Sequence, residues 1–478
     1  MPCVNGKQYI NRIDQLKSNV WINGQEVTGN ISEHSSFKGI MKSQASLYDL
    51  QCREDMIDIM SYLSPKTNER VGMSFLQPKT RKDLEKRRRM IETWARQSAG
   101  MMGRSPDYMN TVLMSFSAAA DLFSDPKGQE NFVNYYEYCR ENDLSLTHTF
   151  INPQVNRSSN YIDDSDKTIS ARVIDKNENG IIVQGARLLA TQGGITDEIL
   201  VFPPGGNQVD TSLCYAFAIP SNSPGLKFLC RESFDYGHDE YDHPLSTRFD
   251  EVDAVVVFDH CEVPWERVFI YGDPFSVSLL YSESGFFPHQ IHQVTTKNVV
   301  KTEFVLGVLQ SIVDTINIGE YQHIQEKIVE VVIALETLKG FLISSETSAS
   351  QDRWGFMVPD RNPLYAAMAY FPKIYPKFIE IMQLIGASGL VSIPTERDFR
   401  SINHNELNKY LQSATLKGYE RVKLFRLASD ICISAFGGRQ TLYERFFFGD
   451  SARLSGTVYR EYDRSSFVDW VKKFLHQS

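Results

Sequence analysis

Glu198-Ile199-Leu200-Val201-Phe202 is a run of β-branched, aliphatic and aromatic residues, closed at once by Pro203-Pro204-Gly205-Gly206-Asn207, through which neither strand nor helix continues. Similar short runs stand on both sides: Ile169 to Ile174, Gly180-Ile181-Ile182-Val183, Leu213 to Ile219 and Ala254 to Phe258. Asn177-Glu178-Asn179-Gly180 adds a hairpin signal, because Asn and Gly tolerate positive φ. Residues 145–277 therefore read as a compact β domain, a barrel or sandwich.

The texture differs outward in both directions. Residues 1–144 are mainly helical in pattern, with the clearest start at Pro78-Lys79-Thr80, where Asp83 stands three positions after a capping threonine. The helix that follows contains Lys86, Arg87, Arg88 and Arg89, interleaved with Asp83, Glu85 and Glu92, while Leu84, Ile91 and Trp94 mark a buried stripe. The basic run reads as a solvated face rather than a nucleic-acid patch. Residues 278–478 return to helical periodicity. Ile328, Val331, Val332, Leu335, Leu338 and Leu342 share one face, and Val305, Leu306, Leu309, Ile312, Val313 and Ile316 repeat the pattern. The expected architecture is α+β: an N-terminal helical domain, a middle β domain and a C-terminal helical bundle.

The 478 residues carry 50 basic and 59 acidic side chains, a net charge of −9, which argues against a nucleic-acid binder that works through a broad positive surface. The start, Met-Pro-Cys-Val-Asn-Gly-Lys-Gln-Tyr, is polar where a signal peptide is apolar, and the chain holds no apolar run of membrane-spanning length. A cytoplasmic protein with no membrane partner is expected. Seven scattered cysteines without a CxxC pair read as reduced structural thiols.

Several chemistries lack their signature. The chain has neither a GxGxxG after a strand nor a Walker GxxxxGK[ST]. Gly386-Ala387-Ser388-Gly389 lacks the spacing of a nucleophile elbow. His238-Asp239-Glu240-Tyr241-Asp242-His243 offers metal-capable side chains without a known ligand spacing, so it reads as a loop and no metal is expected. His289 and His292 read as packed or capping histidines.

A set of separated strings carries a family resemblance: Gly103-Arg104-Ser105-Pro106-Asp107-Tyr108-Met109-Asn110, then Leu146-Thr147-His148-Thr149-Phe150-Ile151-Asn152-Pro153-Gln154-Val155-Asn156-Arg157. Gly185-Ala186-Arg187 through Ala190-Thr191-Gln192, Phe258-Asp259-His260-Cys261-Glu262-Val263-Pro264-Trp265, and Tyr443-Glu444-Arg445-Phe446-Phe447-Phe448-Gly449-Asp450 follow in order. From Gly6 to about Arg453 the chain resembles the 4-hydroxyphenylacetate 3-hydroxylase family, the oxygenase components of two-component flavin-dependent phenol hydroxylases.

The resemblance implies an acyl-CoA-dehydrogenase-like fold with a C-terminal four-helix bundle, a homotetramer, and reduced FAD received from a separate flavin reductase. It implies hydroxylation of a phenol ortho to its hydroxyl with O2, 4-hydroxyphenylacetate becoming 3,4-dihydroxyphenylacetate. It assigns Arg104, Tyr108 and His148 to the phenolic oxygen, chemically apt as a permanent cation, a hydroxyl donor and an imidazole that exchanges a proton. It assigns His148, Thr149, Phe150, Gln154, Val155, Asn156, Arg157, Thr191, Gly449, Asp450, Ser451 and Ala452 to the flavin.

The same architecture also carries CoA-ester chemistry. The alternative is an FAD-containing lyase or isomerase of the 4-hydroxybutyryl-CoA dehydratase type, which needs three cysteines and a histidine for an iron–sulfur cluster. Here the stretch from Arg104 to Tyr108 has no cysteine, and Val299 stands seven residues after His292. Pro203 to Ser212 lies where relatives carry a substrate lid, and the choice among phenols stays open.

Overall fold

The computed structural model describes residues 3–153, 169–203, 211–237 and 239–476. The chain divides into two compact units: Met1–Lys301 with Gln351–Val358 and Thr395–Arg397, and Thr302–Ser350 with Pro359–Pro394 and Asp398–Ser478.

In the first unit the capping signal acts as read. Thr80 accepts from the Asp83 backbone N–H, the Asp83 carboxylate accepts from the Thr80 N–H, and helix Arg81–Gln97 starts between them. Leu84, Ile91 and Trp94 are buried, and Trp94 Nε1 donates to the Leu47 carbonyl at 2.8 Å. Arg87 departs from the solvated-face reading. It is buried, with Nη1 donating to the carbonyls of Ser74 (2.6 Å) and Leu76 (3.1 Å), and Nη2 to Thr111 Oγ1 (2.7 Å). The tight turn Met73–Phe75 leaves carbonyls that need donors, and the guanidinium fork supplies them. Burial pulls its pKa down to about 10. Through Thr111, Arg87 also tethers helix Pro106–Ala118, which begins with Ser105 at the cap and Pro106 in the first turn.

Two sheets follow. The six-stranded sheet runs in the order Gln25–Glu26, Val20–Ile22, Leu226–Cys230, Asp253–Pro264, Gly180–Thr191, Arg172–Lys176. The four-stranded sheet runs Val268–Tyr271, Tyr215–Pro220, Glu198–Val201, Leu146–Thr149, its last pair parallel. Asn177 makes the expected hairpin by accepting on Oδ1 from the N–H groups of Asn179 (2.8 Å) and Gly180 (3.0 Å). Arg187 joins the sheets from inside: fully buried, it donates through Nη2 to Tyr215 Oη at 2.7 Å, and that hydroxyl donates to the Ala171 carbonyl at 2.6 Å.

The sheets also differ from the sequence reading. Gly180–Thr191 and Asp253–Pro264 are twelve-residue strands, longer than their apolar runs, and the run Ile169 to Ile174 gives way to strand Arg172–Lys176. The helical N-terminal block lends strand Val20–Ile22 to the sheet, where it pairs parallel with Leu226–Cys230.

In the second unit, helix Arg361–Gly386 packs on Gln322–Thr347, Gly418–Cys432, Ala435–Phe446 and Ser451–Glu461. Val331, Leu335, Leu338 and Leu342 are buried as the periodicity predicts, whereas Val332 is exposed and Ile328 only half-buried. Gly386–Gly389 ends a helix rather than following a strand. Among the described residues no helix is long and apolar enough to cross a membrane.

Gly194 closes the turn after strand Gly180–Thr191 at φ +87°, and a Cβ there would lie 2.3 Å from Val20 Cγ2. Gly194→Ala combines left-handed strain with a clash against a fully buried side chain. The expected loss is roughly 2–4 kcal/mol by chemical denaturation. A loss below about 0.5 kcal/mol would contradict this packing.

Candidate functional site

The candidate site lies in the first unit. Ser105 and Pro106 turn the chain into helix Pro106–Ala118, so Arg104 lies just outside it and Tyr108 in its first turn. The Arg104 guanidinium folds back over the Tyr108 ring, its Cζ 4.0 Å from the centroid. His148 comes from strand Leu146–Thr149, which pairs with Glu198–Val201. Its ring centroid is 5.5 Å from that of Tyr108 and 5.4 Å from that of Phe150, on which it stacks at 15°. Arg104, Tyr108, His148 and Phe150 thus form one ladder.

Burial sets the charge states. Tyr108 and His148 are each 7% exposed. Desolvation holds the His148 imidazole well below the usual histidine range, and the Arg104 cation pushes it further down. Desolvation raises the Tyr108 phenol, and Arg104 opposes this. The site presents a permanent cation, a neutral hydroxyl and a neutral imidazole. His148 Nδ1 is buried with no hydrogen-bond partner among the described residues. A buried ring nitrogen left without a partner is costly unless a ligand meets it.

The hydroxyls of Thr149 and Thr191 are tied to the scaffold. Thr149 Oγ1 donates to the Leu188 carbonyl at 2.7 Å and Thr191 Oγ1 to Asp253 Oδ1 at 2.8 Å. Each keeps lone pairs with which to accept. Gln154, Val155, Asn156 and Arg157 lie outside the described residues. Gly449, Asp450, Ser451 and Ala452 belong to the second unit. There Gly449 takes φ +108°, and Asp450 caps helix Ser451–Glu461 through the N–H groups of Ala452 and Arg453.

Sequence reasoning missed three neighbours. Tyr281 donates to the Pro203 carbonyl at 3.3 Å, and its pKa is raised by burial and then by nearby Tyr108. Gln293 Nε2 donates to Asp107 Oδ2 at 2.7 Å, beside Tyr108. Glu251, fully buried, accepts from the backbone N–H groups of Gly103 and Arg104, each at 2.7 Å. Only the clustering of Asp250, Glu251 and Asp253 hinted at the last. In the histidine-rich loop, His238 lies outside the described residues, and the described residues hold no cluster suited to a metal. His289 and His292 are buried packed histidines.

The 4-hydroxyphenylacetate 3-hydroxylase N-terminal family model matches residues 5–270, and its C-terminal counterpart matches residues 277–476. The chain is 50% identical over 478 residues to the probable 4-hydroxyphenylacetate 3-monooxygenase of Bacillus subtilis (strain 168), covering 100% of this chain and 99% of that one. It is 42% identical over 474 residues to the 4-hydroxyphenylacetate 3-monooxygenase oxygenase component of Thermus thermophilus, covering 99% and 97%. A crystal structure of a 4-hydroxyphenylacetate 3-monooxygenase oxygenase component complexed with FAD and 4-hydroxyphenylacetate matches with TM-score 0.94 at 41% identity, covering 99% of this chain and 98% of that one. An archaeal 4-hydroxybutyryl-CoA dehydratase matches with TM-score 0.90 at 18% identity, covering 100% and 95%, a likeness of fold alone.

The architecture is α+β of the acyl-CoA-dehydrogenase-like type. Within that class, the chain belongs to the 4-hydroxyphenylacetate 3-hydroxylase family.

The depressed His148 pKa has a defined consequence for stability. Below the ordinary histidine pKa of about 6.5 the unfolded chain takes up a proton that the folded chain refuses, so stability falls as pH drops through that range. Between pH 7.5 and 5.5 the wild type is expected to lose more stability than His148→Asn, by on the order of 1 kcal/mol, read from urea melts at both pH values. Equal losses would refute the buried neutral imidazole.

Proposed function

We propose that this chain is the oxygenase component of a two-component hydroxylase that uses reduced FAD from a separate reductase, and O2, to convert 4-hydroxyphenylacetate to 3,4-dihydroxyphenylacetate. One oxygen atom enters the ring ortho to the hydroxyl, the other leaves as water, and the flavin is oxidised. The observation that carries the reading is the buried ladder of Arg104, Tyr108 and His148 with His148 Nδ1 unpartnered. A phenolic hydroxyl complements it on every count.

Neutral His148 accepts the phenolic proton, Arg104 holds the oxyanion that forms, and Tyr108 donates a hydrogen bond to the same oxygen. Removing the proton enriches the ortho carbon in electron density, which is where the electrophilic oxygen must go. Reduced FAD, when bound, supplies the activation of O2. The residues fit that cofactor: the Thr191 lone pairs, with the hydroxyl proton engaged by Asp253, suit a flavin N–H, and Phe150 adds an aromatic face. We assign flavin binding to His148, Thr149, Phe150, Gln154 to Arg157, Thr191 and Gly449 to Ala452, with Arg157 on a phosphate. Phe116, Phe202, Tyr281 and Phe286 form an aromatic cluster near Tyr108 that helps exclude water.

We assign the chain to a homotetramer in the cytoplasm. Apolar side chains left exposed on two helices support the assembly: Val329, Ile333 and Ile343 on Gln322–Thr347, and Phe467, Trp470 and Phe474 on Ser465–Leu475.

Purified protein given reduced FAD, 18O2 and 4-hydroxyphenylacetate is expected to form the catechol with one labelled oxygen. Arg104→Ala is expected to lower catechol formation by about 100-fold or more while oligomer size and FAD binding hold. Failure of the wild type to oxygenate any phenol in a panel, or turnover of a CoA ester without O2, would overturn the reading.

A further inference from the structure

The turn that carries Arg104 has no hydrogen-bonding ladder of its own. Gly103 and Arg104 precede the helix cap Ser105, so their N–H groups find no partner within helix Pro106–Ala118. Glu251 takes both: Oε2 accepts from Gly103 at 2.7 Å and Oε1 from Arg104 at 2.7 Å. Oε1 also accepts from Gln192 Nε2 at 3.0 Å, and the same amide nitrogen lies 3.2 Å from the Arg104 carbonyl. The N–H and C=O of Arg104 are therefore both held by this pair.

Gln192 follows Thr191 and stands at φ +64°, a conformation a non-glycine residue keeps only when its surroundings enforce it. Glu251 itself is pinned by its own segment. Arg231 donates to the Glu251 carbonyl at 3.2 Å, to Asp250 at 2.7 Å and to Asp253 at 3.0 Å. Asp253 in turn accepts from Thr191 Oγ1 at 2.8 Å. Residues 250–253 thus fasten the phenol-side turn and the Thr191–Gln192 turn together.

Resting on the reading of the site given above, we propose that Glu251 is a positioning residue: its carboxylate fixes Arg104 against Tyr108 and sets the registry between the phenol and the Thr191 turn. Three donors converge on it, so an acceptor-only carboxylate is required. A carboxamide has one acceptor oxygen and turns an N–H toward a donor. A small displacement of the guanidinium loosens the phenolate and lets water in, so reduced flavin is oxidised with release of hydrogen peroxide instead of product.

The test uses the full chain as wild type, Glu251→Gln and Glu251→Asp, with two readouts. In hydrogen–deuterium exchange, Glu251→Gln is expected to exchange the Gly103 and Arg104 amides about ten-fold faster, with the core helices unchanged. In turnover with reduced FAD, it is expected to raise KM for 4-hydroxyphenylacetate about ten-fold and to shift the product from catechol toward hydrogen peroxide, while Glu251→Asp recovers part of both. Unchanged exchange at Gly103 and Arg104 would overturn the proposal. So would faster exchange with a wild-type split between catechol and peroxide, since Glu251 would then be structural only. Exchange is read without turnover, so a wild type that oxygenates no phenol would defeat the functional reading separately. If Glu251→Gln does not fold, Glu251→Asp decides by the same readouts.

Discussion

A permanent cation beside a neutral imidazole, both out of water, is the arrangement on which this site depends. Burial by itself holds the imidazole neutral, and because burial also removes solvent screening, the neighbouring guanidinium pushes it further the same way. The result is a standing positive potential next to an unengaged proton acceptor. In the reading proposed above, the acceptor meets a phenolic O–H and the cation steadies the phenolate left once the proton is taken. The fold secures it by drawing the partners from rigid elements: a sheet strand for His148, a proline-started helix for Tyr108, and a turn held by a buried carboxylate for Arg104.

What was legible in the sequence was what local chemistry decides. Thr80 and Asp83 satisfy each other three residues apart, and the strands at Glu198–Val201 and Tyr215–Pro220 follow their apolar runs. What was not legible depends on distant partners. Strand Val20–Ile22 is three residues long and exists because Leu226–Cys230 offers an edge far along the chain. Arg87 is buried because the carbonyls of Ser74 and Leu76 lack donors, a fact absent from its own helix.

The site divides the same way. Arg104, Tyr108 and His148 were nominated by family resemblance and suited by chemistry, but no spacing announces that positions 104 and 148 meet. The helix start and the parallel strand pair bring them together. Side-chain type alone could not show that Thr149 and Thr191 spend their hydroxyl protons on Leu188 and Asp253, leaving acceptors rather than donors for a ligand. Glu251 carried little signal beyond its acidic neighbours, because two of its partners are backbone N–H groups far off in the chain and the third is the Gln192 amide.

The likeness to an archaeal 4-hydroxybutyryl-CoA dehydratase, at 18% identity and TM-score 0.90, shows how little the architecture decides about chemistry. In this chain the turn before Tyr108 carries Arg104 and no cysteine. The opening turns of helix Phe286–Thr315 carry a buried His289, Gln290, His292 and Gln293, of which Gln293 donates to Asp107 at 2.7 Å. That helix therefore braces the first turn of helix Pro106–Ala118 through an amide. A site built from a fixed cation, neutral donors and a proton acceptor can steady an oxyanion through an electrophilic substitution.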